Sequence, residues 1–198
     1  ICGSDKQDDG FPNSRKNIWN DRLIQTLLSP TYNPSLTYPD AITLHSYFFT
    51  SASDFTNIET WIINSVNLEY NSLVNTINDF MSAWGVTSNL EFWITEFGLT
   101  DDYAQISGSW AHGLYLISIV FKMLEIGEIT MLINNSLSSG RQYGMLFDRG
   151  NIFGAANTAD VFDLSAGGLT LGVFNRTLND STEFDAINFG DSLNGLYG

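Results

Sequence analysis

Apolar residues recur along most of the chain at spacings that are typical of regular structure. Steps of three and four residues predict helices, at residues 18–28, 58–84, 109–126 and 169–178. Short apolar runs and alternating patterns predict strands, at residues 41–47, 90–97, 129–133, 144–148 and 182–190. Gly167-Gly168 is interpreted as a turn. Strands therefore alternate with helices of ten or more residues, which predicts βα units and a parallel sheet. Three or four such units fit half of an eight-stranded barrel or a small doubly wound sheet.

Charge and cysteine content exclude several classes of function. The 198 residues include 8 Lys and Arg against 22 Asp and Glu, a net charge of −14. A field of this sign repels phosphate groups, so nucleic-acid binding is not expected. No apolar run reaches the roughly 18 residues of a membrane span, so membrane insertion is not expected either. Cys2 is the only cysteine, and no metal-ligand or cofactor motif is present. We therefore expect neither a metal nor a cofactor.

Chemically capable side chains follow two of the predicted strands. His45 and Tyr47 end one strand, and Glu96 ends the next. In a βα barrel, catalytic residues lie at these carboxyl ends. Glycoside hydrolysis requires a carboxylate that attacks the anomeric carbon or activates water. A salt bridge or a helix cap is the alternative role for Glu96, and a buried structural histidine is the alternative for His45.

The segment Trp93-Ile94-Thr95-Glu96-Phe97-Gly98 resembles the W-x-T-E-x-G signature of the large clan of retaining (β/α)₈-barrel glycoside hydrolases. His45-Ser46-Tyr47 resembles the H-x-Y of its arabinofuranosidase-like members, and residues 109–114 resemble the start of the helix that follows the signature strand. The resemblance implies a TIM-barrel fold, present here as roughly the last four βα units, strands 5–8. Residues 1–178 are then expected to be the C-terminal half of the barrel, and 179–198 a linker or the start of an accessory β-sandwich.

The resemblance also implies a reaction. It is the hydrolysis of a plant- or algal-type polysaccharide by retaining double displacement, with Glu96 as nucleophile. Tyr47 would orient Glu96, and His45 would bind a sugar hydroxyl. The acid/base Glu of this clan lies in an Asn-Glu pair, and this sequence contains no such dipeptide. We expect it in a missing N-terminal half, which would be the partner of this chain unless the chain self-associates.

Two further residues are candidates for substrate binding. Trp110 offers a ring for stacking on a sugar, with ordinary core packing as the alternative. Asn134, with Asn135, offers hydrogen bonds to hydroxyls, with turn formation as the alternative. Such an enzyme is expected to be secreted or at the cell surface. A non-catalytic carbohydrate-binding or structural surface or filament protein, and a small doubly wound α/β binding protein, are the competing interpretations.

Overall fold

The computed structural model describes residues 19–48, 56–84, 89–99, 106, 108–135, 138–139, 145–148 and 162–178. These residues form ten elements, which follow one another along the chain. They are α1 (Trp19–Leu28), β1 (Ala41–Phe48), α2 (Ile58–Trp84), β2 (Glu91–Leu99), α3 (Trp110–Leu124), β3 (Ile129–Asn134), β4 (Ser138–Ser139), β5 (Leu146–Asp148), β6 (Phe162–Leu164) and α4 (Ala166–Leu178). The four predicted helices and the three main predicted strands are confirmed, with ends that differ by up to three residues. The strand predicted at 182–190 lies outside the described residues.

The fold class predicted from the resemblance is wrong. The main sheet is open, contains three parallel strands in the order β1-β2-β3, and does not close into a barrel. No fourth parallel strand joins it among the described residues. Instead, β4, β5 and β6 form a separate small sheet in which β5 and β6 are antiparallel. The alternation of strands and helices predicts parallel pairing in both architectures. Closure depends on strand number, tilt and stagger, which this alternation does not encode.

The chain contains two compact units. The first comprises residues 1–49, 68–100 and 126–135, and the second comprises residues 50–67, 101–125 and 136–198. The boundary between them falls within α2, and the domain boundary expected at residue 178 stays a prediction. The main sheet belongs to the first unit, whereas α3 and α4 belong to the second.

The core of the first unit forms between one face of the main sheet and the second half of α2. Apolar side chains of α2 recur on one side of the helix and are buried, at Leu73, Ile77, Phe80 and Trp84. The Phe80 ring lies 6.0 Å from that of Phe92 on β2. Ile42 and Leu44 of β1 and Phe92 and Ile94 of β2 are fully buried on this face. We call the side of the sheet on which these four residues lie the helix face.

The core of the second unit depends on a close approach of α3 and α4. The Phe121 and Phe174 rings meet edge to face at 5.2 Å. A Cβ at Gly168 would come within 2.3 Å of the Met145 carbonyl oxygen, so only glycine fits this position. Gly167 and Gly168 lie in the first turn of α4 and are buried. The interpretation of this pair as a turn is wrong, because these glycines serve close packing within a helix. No helix among the described residues is long and apolar enough to cross a membrane.

Candidate active site

Two neighbouring strands of the main sheet bring His45, Tyr47 and Glu96 together. β1 and β2 are parallel, with His45 opposite Glu96 and Tyr47 opposite Gly98. All three residues lie toward the carboxyl ends of their strands. In open α/β sheets, ligands bind outside these ends. The geometry thus places a carboxylate, an imidazole and a phenol at the edge of the sheet where a ligand is expected.

A bulge in β2 determines which face Glu96 occupies. Leu44 is opposite Ile94, whereas the next residue of β1, His45, is opposite Glu96, so Thr95 is an extra residue in β2. The pairing of β2 with β3 contains the same irregularity, between Ile94 and Phe97. Side chains alternate between faces along a regular strand. If β2 alternated regularly through Thr95, Glu96 would lie on the same side as Phe92 and Ile94, the helix face.

The opposite face of the sheet receives Glu96 because of this bulge. His45 and Tyr47 lie there on β1, and we call these three residues the polar face. Phe97 takes the position on the helix face and is buried, with 3% of its surface exposed. Bulges redirect side chains next to active sites in many proteins. A strand that is apolar on one side can therefore end in an exposed carboxylate without burying an unpaired charge.

Three side chains contact a single oxygen of Glu96. The Tyr47 hydroxyl donates a hydrogen bond to Oε2 at 2.6 Å. The Asn135 amide Nδ2 donates to the same oxygen at 3.2 Å. The Nδ1 atom of His45 lies 3.5 Å from Oε2, within ion-pair distance if the imidazole is protonated. Among the described residues, these contacts to the carboxylate all converge on Oε2 and leave Oε1 available.

The exposure of these groups suits contact with a ligand. The side chains of His45 and Glu96 are 32% and 38% exposed. The His45 and Tyr47 rings meet edge to face, with centroids 6.4 Å apart. A carboxylate with one oxygen fixed and the other accessible is suited either to attack on an electrophilic carbon or to accept hydrogen bonds from hydroxyl groups.

The end of β3 is hydrogen-bonded to β2 next to the Glu96 carboxylate. The side-chain amide of Asn134 donates to the Phe97 carbonyl at 3.0 Å, and the backbone N–H of Asn135 donates to it at 3.3 Å. Gly98 follows with a φ of +152°, a conformation that side chains rarely adopt. Asn135 also donates through Nδ2 to the Tyr47 hydroxyl. Sequence reasoning grouped Asn135 with Asn134 as a possible ligand of hydroxyls and missed this contact with Tyr47 and Glu96.

A second glutamate lies beneath the site on the helix face. Glu69 of α2 is fully buried, and the Ser46 hydroxyl donates to its Oε1 atom. Ser46 stands between His45 and Tyr47 in β1 but points to the other side of the strand. Sequence reasoning missed this pair. The sequence does contain a sign that Glu69 is buried, because this carboxylate occupies a position in the apolar spacing of α2, four residues before Leu73 and three after Val66.

The remaining candidates lie in the second unit. Trp110 is the first residue of α3 and is 54% exposed. His112, in the same turn, is buried, and its Nδ1 atom accepts a hydrogen bond from the Gly108 N–H at 3.1 Å. Burial lowers the pKa of His112 from its ordinary 6.5 to about 4. This histidine is therefore neutral at physiological pH and has a structural role. Within the described part of the chain, no group of three or more His, Cys, Asp or Glu side chains is arranged to hold a metal ion.

Comparison with known proteins gives a structural likeness and no sequence family. No model of a protein family matches the chain, and no curated protein sequence matches it. The structure is similar to the crystal structure of the GH51 arabinofuranosidase from Xanthomonas axonopodis pv. citri, with a TM-score of 0.56. The match covers 87% of this chain at 10% sequence identity.

This chain is a distant structural neighbour of a glycoside hydrolase. It spans 33% of the length of that enzyme. A likeness at this level of identity concerns the arrangement of the backbone, since unrelated functions share folds. The chemistry open to this chain therefore depends on the side chains of the polar face.

Proposed function

We propose that the protein is a retaining glycoside hydrolase in which Glu96 is the nucleophile, acting on a plant- or algal-type polysaccharide. The observation that supports this most directly is the convergence of Tyr47, Asn135 and His45 on Oε2 of Glu96. The structural likeness to an arabinofuranosidase agrees with the proposal in its class of chemistry. A neutral polysaccharide would not be repelled by a protein with a net charge of −14, whereas an anionic one would be.

In the proposed reaction, Oε1 of Glu96 attacks the anomeric carbon and the bond to the leaving oxygen breaks. Tyr47 holds Oε2 through its hydroxyl and fixes the plane of the carboxylate. His45 lies beside the carboxylate at the exposed side of the site, where it binds a sugar hydroxyl. Water then hydrolyses the glycosyl ester, so the configuration of the sugar is retained after two inversions.

A second carboxyl group must protonate the leaving oxygen and later deprotonate water. In retaining enzymes it lies about 5–5.5 Å from the nucleophile. No described carboxyl group lies beside Glu96: Glu91 is on the same side of β2 but at its amino end, four or five residues away at ~3.3 Å each, and Glu69 is buried on the opposite side of β1. In the proposal, this acid/base group belongs to a part of the protein outside the described residues. The proposed location, at the cell surface or outside the cell, follows from a substrate too large to enter.

The decisive experiment replaces Glu96 and supplies a substitute nucleophile. The protein is assayed on a panel of 4-nitrophenyl glycosides that includes the α-L-arabinofuranoside. Glu96→Gln is expected to lower turnover at least about a thousandfold and to leave folding intact. Glu96→Gly with sodium azide is expected to regain activity and to release a glycosyl azide of inverted anomeric configuration, because azide attacks from the side of the missing carboxylate. Activity of Glu96→Gln near that of the wild type would remove Glu96 from the mechanism.

A non-catalytic carbohydrate-binding protein is the second candidate, favoured by the lack of a second described carboxyl group beside Glu96. In that case, Glu96 and His45 accept and donate hydrogen bonds to sugar hydroxyls without bond cleavage. Calorimetric titration with soluble arabinan and xylan oligosaccharides separates the two functions. Binding without release of any reducing end would support this candidate and contradict the hydrolase.

A further inference from the structure

Asn135 closes a triangle of hydrogen bonds with Tyr47 and Glu96. Its Nδ2 atom donates to the Tyr47 hydroxyl oxygen and, at 3.2 Å, to Oε2 of Glu96. Tyr47 in turn donates to that same Oε2 at 2.6 Å. The three side chains come from the ends of three neighbouring strands, so one small polar cluster joins β1, β2 and β3.

The direction of the phenol proton follows from this triangle. A phenol has one proton to donate and lone pairs that accept. Because the Asn135 amide donates to the Tyr47 oxygen, the phenol proton is left to point at Glu96. Successive hydrogen bonds of this kind polarise one another and strengthen the last bond in the chain. Asn135 therefore acts on the carboxylate both directly and through Tyr47.

The backbone of Asn135 is fixed independently of its side chain. Its N–H donates to the Phe97 carbonyl at 3.3 Å, and the preceding Asn134 amide donates to the same carbonyl. Phe97 immediately follows Glu96, so two hydrogen bonds, one from Asn134 and one from Asn135, fix this end of β3 to the residue next to the carboxylate. An amide held in this way is preorganised, and its placement requires no reorganisation when a ligand arrives.

We propose that Asn135 is a positioning residue, which orients Glu96 and the proton of Tyr47, and that it does not bind the sugar. This inference rests on the proposed function and assigns a role within the same site. It differs from a sugar-binding role in a measurable way. Loss of a substrate contact raises KM, whereas loss of a group that prepares the nucleophile lowers kcat.

The test compares Asn135→Ala and Asn135→Asp with Asn175→Ala, the same type of exchange at an exposed position of α4. With 4-nitrophenyl α-L-arabinofuranoside, or whichever panel glycoside is cleaved fastest, Asn135→Ala is expected to lower kcat about tenfold or more with KM within about twofold. Asn135→Asp preserves the size of the side chain but adds a negative charge beside Glu96. It is expected to lose more activity at neutral pH, and the acidic limb of its pH–rate profile is expected to move to higher pH. Asn175→Ala is expected to behave as the wild type.

A crystal structure of Asn135→Ala provides a readout that does not depend on turnover. The Tyr47 hydroxyl is expected to move out of hydrogen-bonding distance of Glu96, or the carboxylate of Glu96 is expected to rotate with it. An unchanged hydrogen bond between Tyr47 and Glu96 in this variant would overturn the proposal, whether or not the protein hydrolyses a glycoside. An absence of hydrolysis by the wild type would instead contradict the proposed function. A raised KM with unchanged kcat would also overturn it, and would return Asn135 to the sugar-binding residues.

Discussion

The two faces of the β1–β2 pair carry similar chemical groups in opposite environments. On the polar face, Glu96 is about one-third exposed and is held through one oxygen by neighbouring side chains. On the helix face, Glu69 is fully buried and receives a hydrogen bond from Ser46. One glutamate is accessible to a ligand, and the other is part of the interior. Environment, and not residue type, thus separates a carboxylate that a ligand can reach from a structural one.

The largest expected effect comes from insertion of an alanine between Ile94 and Thr95, which removes the difference between the faces. The bulge in β2 accommodates one extra residue. A second extra residue is therefore expected to turn Glu96 to the helix face and Phe97 to the polar face. A carboxylate buried among Ile94 and Phe92 without partners costs several kcal/mol. We expect loss of cooperative unfolding in urea and loss of glycosidase activity.

The control for this insertion is Thr95→Ala, which keeps the number of residues in β2 and removes only a side chain. It is expected to unfold within about 1 kcal/mol of the wild type. An insertion variant that retains full activity and stability would show that the residue count of β2 does not determine the side on which Glu96 lies.

The two histidines of the chain extend the comparison, and their expected effect on stability is the next largest. His45 is partly exposed beside Glu96, whereas burial lowers the pKa of His112 from 6.5 to about 4. Between about pH 6.5 and pH 4, the unfolded chain therefore binds a proton at His112, whereas the folded protein does not. Above about pH 6.5, His112 is neutral in both states and does not lower the free energy of unfolding. As pH falls from 6.5 toward 4, protonation of His112 in the unfolded chain lowers the free energy of unfolding by about 3 kcal/mol in total.

The free energy of unfolding in urea, measured at intervals between pH 7 and pH 4, checks this prediction. Other carboxyl groups titrate in the same range, so the informative quantity is the difference between the wild type and His112→Gln. That variant keeps an acceptor for the Gly108 N–H but does not titrate, and its curve is expected to be flatter. Parallel curves for the two proteins would contradict the burial of a neutral histidine.

A smaller effect, confined to turnover, is expected for Tyr47→Phe on the polar face. The exchange removes the hydrogen bond to Glu96 and retains the ring. We expect kcat to fall about tenfold to a hundredfold, with little change in KM or in the free energy of unfolding. Tyr32→Phe, at a tyrosine that is 76% exposed, is the matched control. Equal kcat values for the two variants would exclude Tyr47 from the site.

The smallest effect is expected for Ser46→Ala, one residue away on the same strand but on the helix face. Glu69 loses the hydrogen bond from this hydroxyl, which costs about 1–2 kcal/mol of unfolding free energy. Turnover is expected to stay within about twofold of the wild type. Ser46→Ala and Tyr47→Phe together form a double test, in which one neighbour affects stability and the other affects catalysis. An exchange of these two effects would reverse the assignment of the faces.

Sequence patterns predicted the elements of this fold well and their assembly poorly. The helix at residues 58–84 was predictable because apolar side chains recur on one of its sides over seven turns. The open sheet was not, since local periodicity carries no information about closure. Gly167 and Gly168 were misinterpreted because the Met145 carbonyl that requires a glycine lies far away in sequence.

The candidate site was predictable in part. His45, Tyr47 and Glu96 were identified from their places at strand ends and from the resemblance, and the structure brings them together. Their roles in binding and catalysis remain predictions. The bulge at Thr95 and the contact of Asn135 could not be derived, because both depend on pairing between strands and on which register the whole sheet adopts.

The extra residue in β2 also matters for anyone who compares or designs sequences of this kind. An alignment that forbids gaps within strands would pair Glu96 with a residue of the wrong orientation in a relative that lacks the insertion. Conversely, a residue inserted as a bulge leaves the positions that follow it on their original faces, so a designer can lengthen a strand by one amino acid without turning a ligand-side group into the interior.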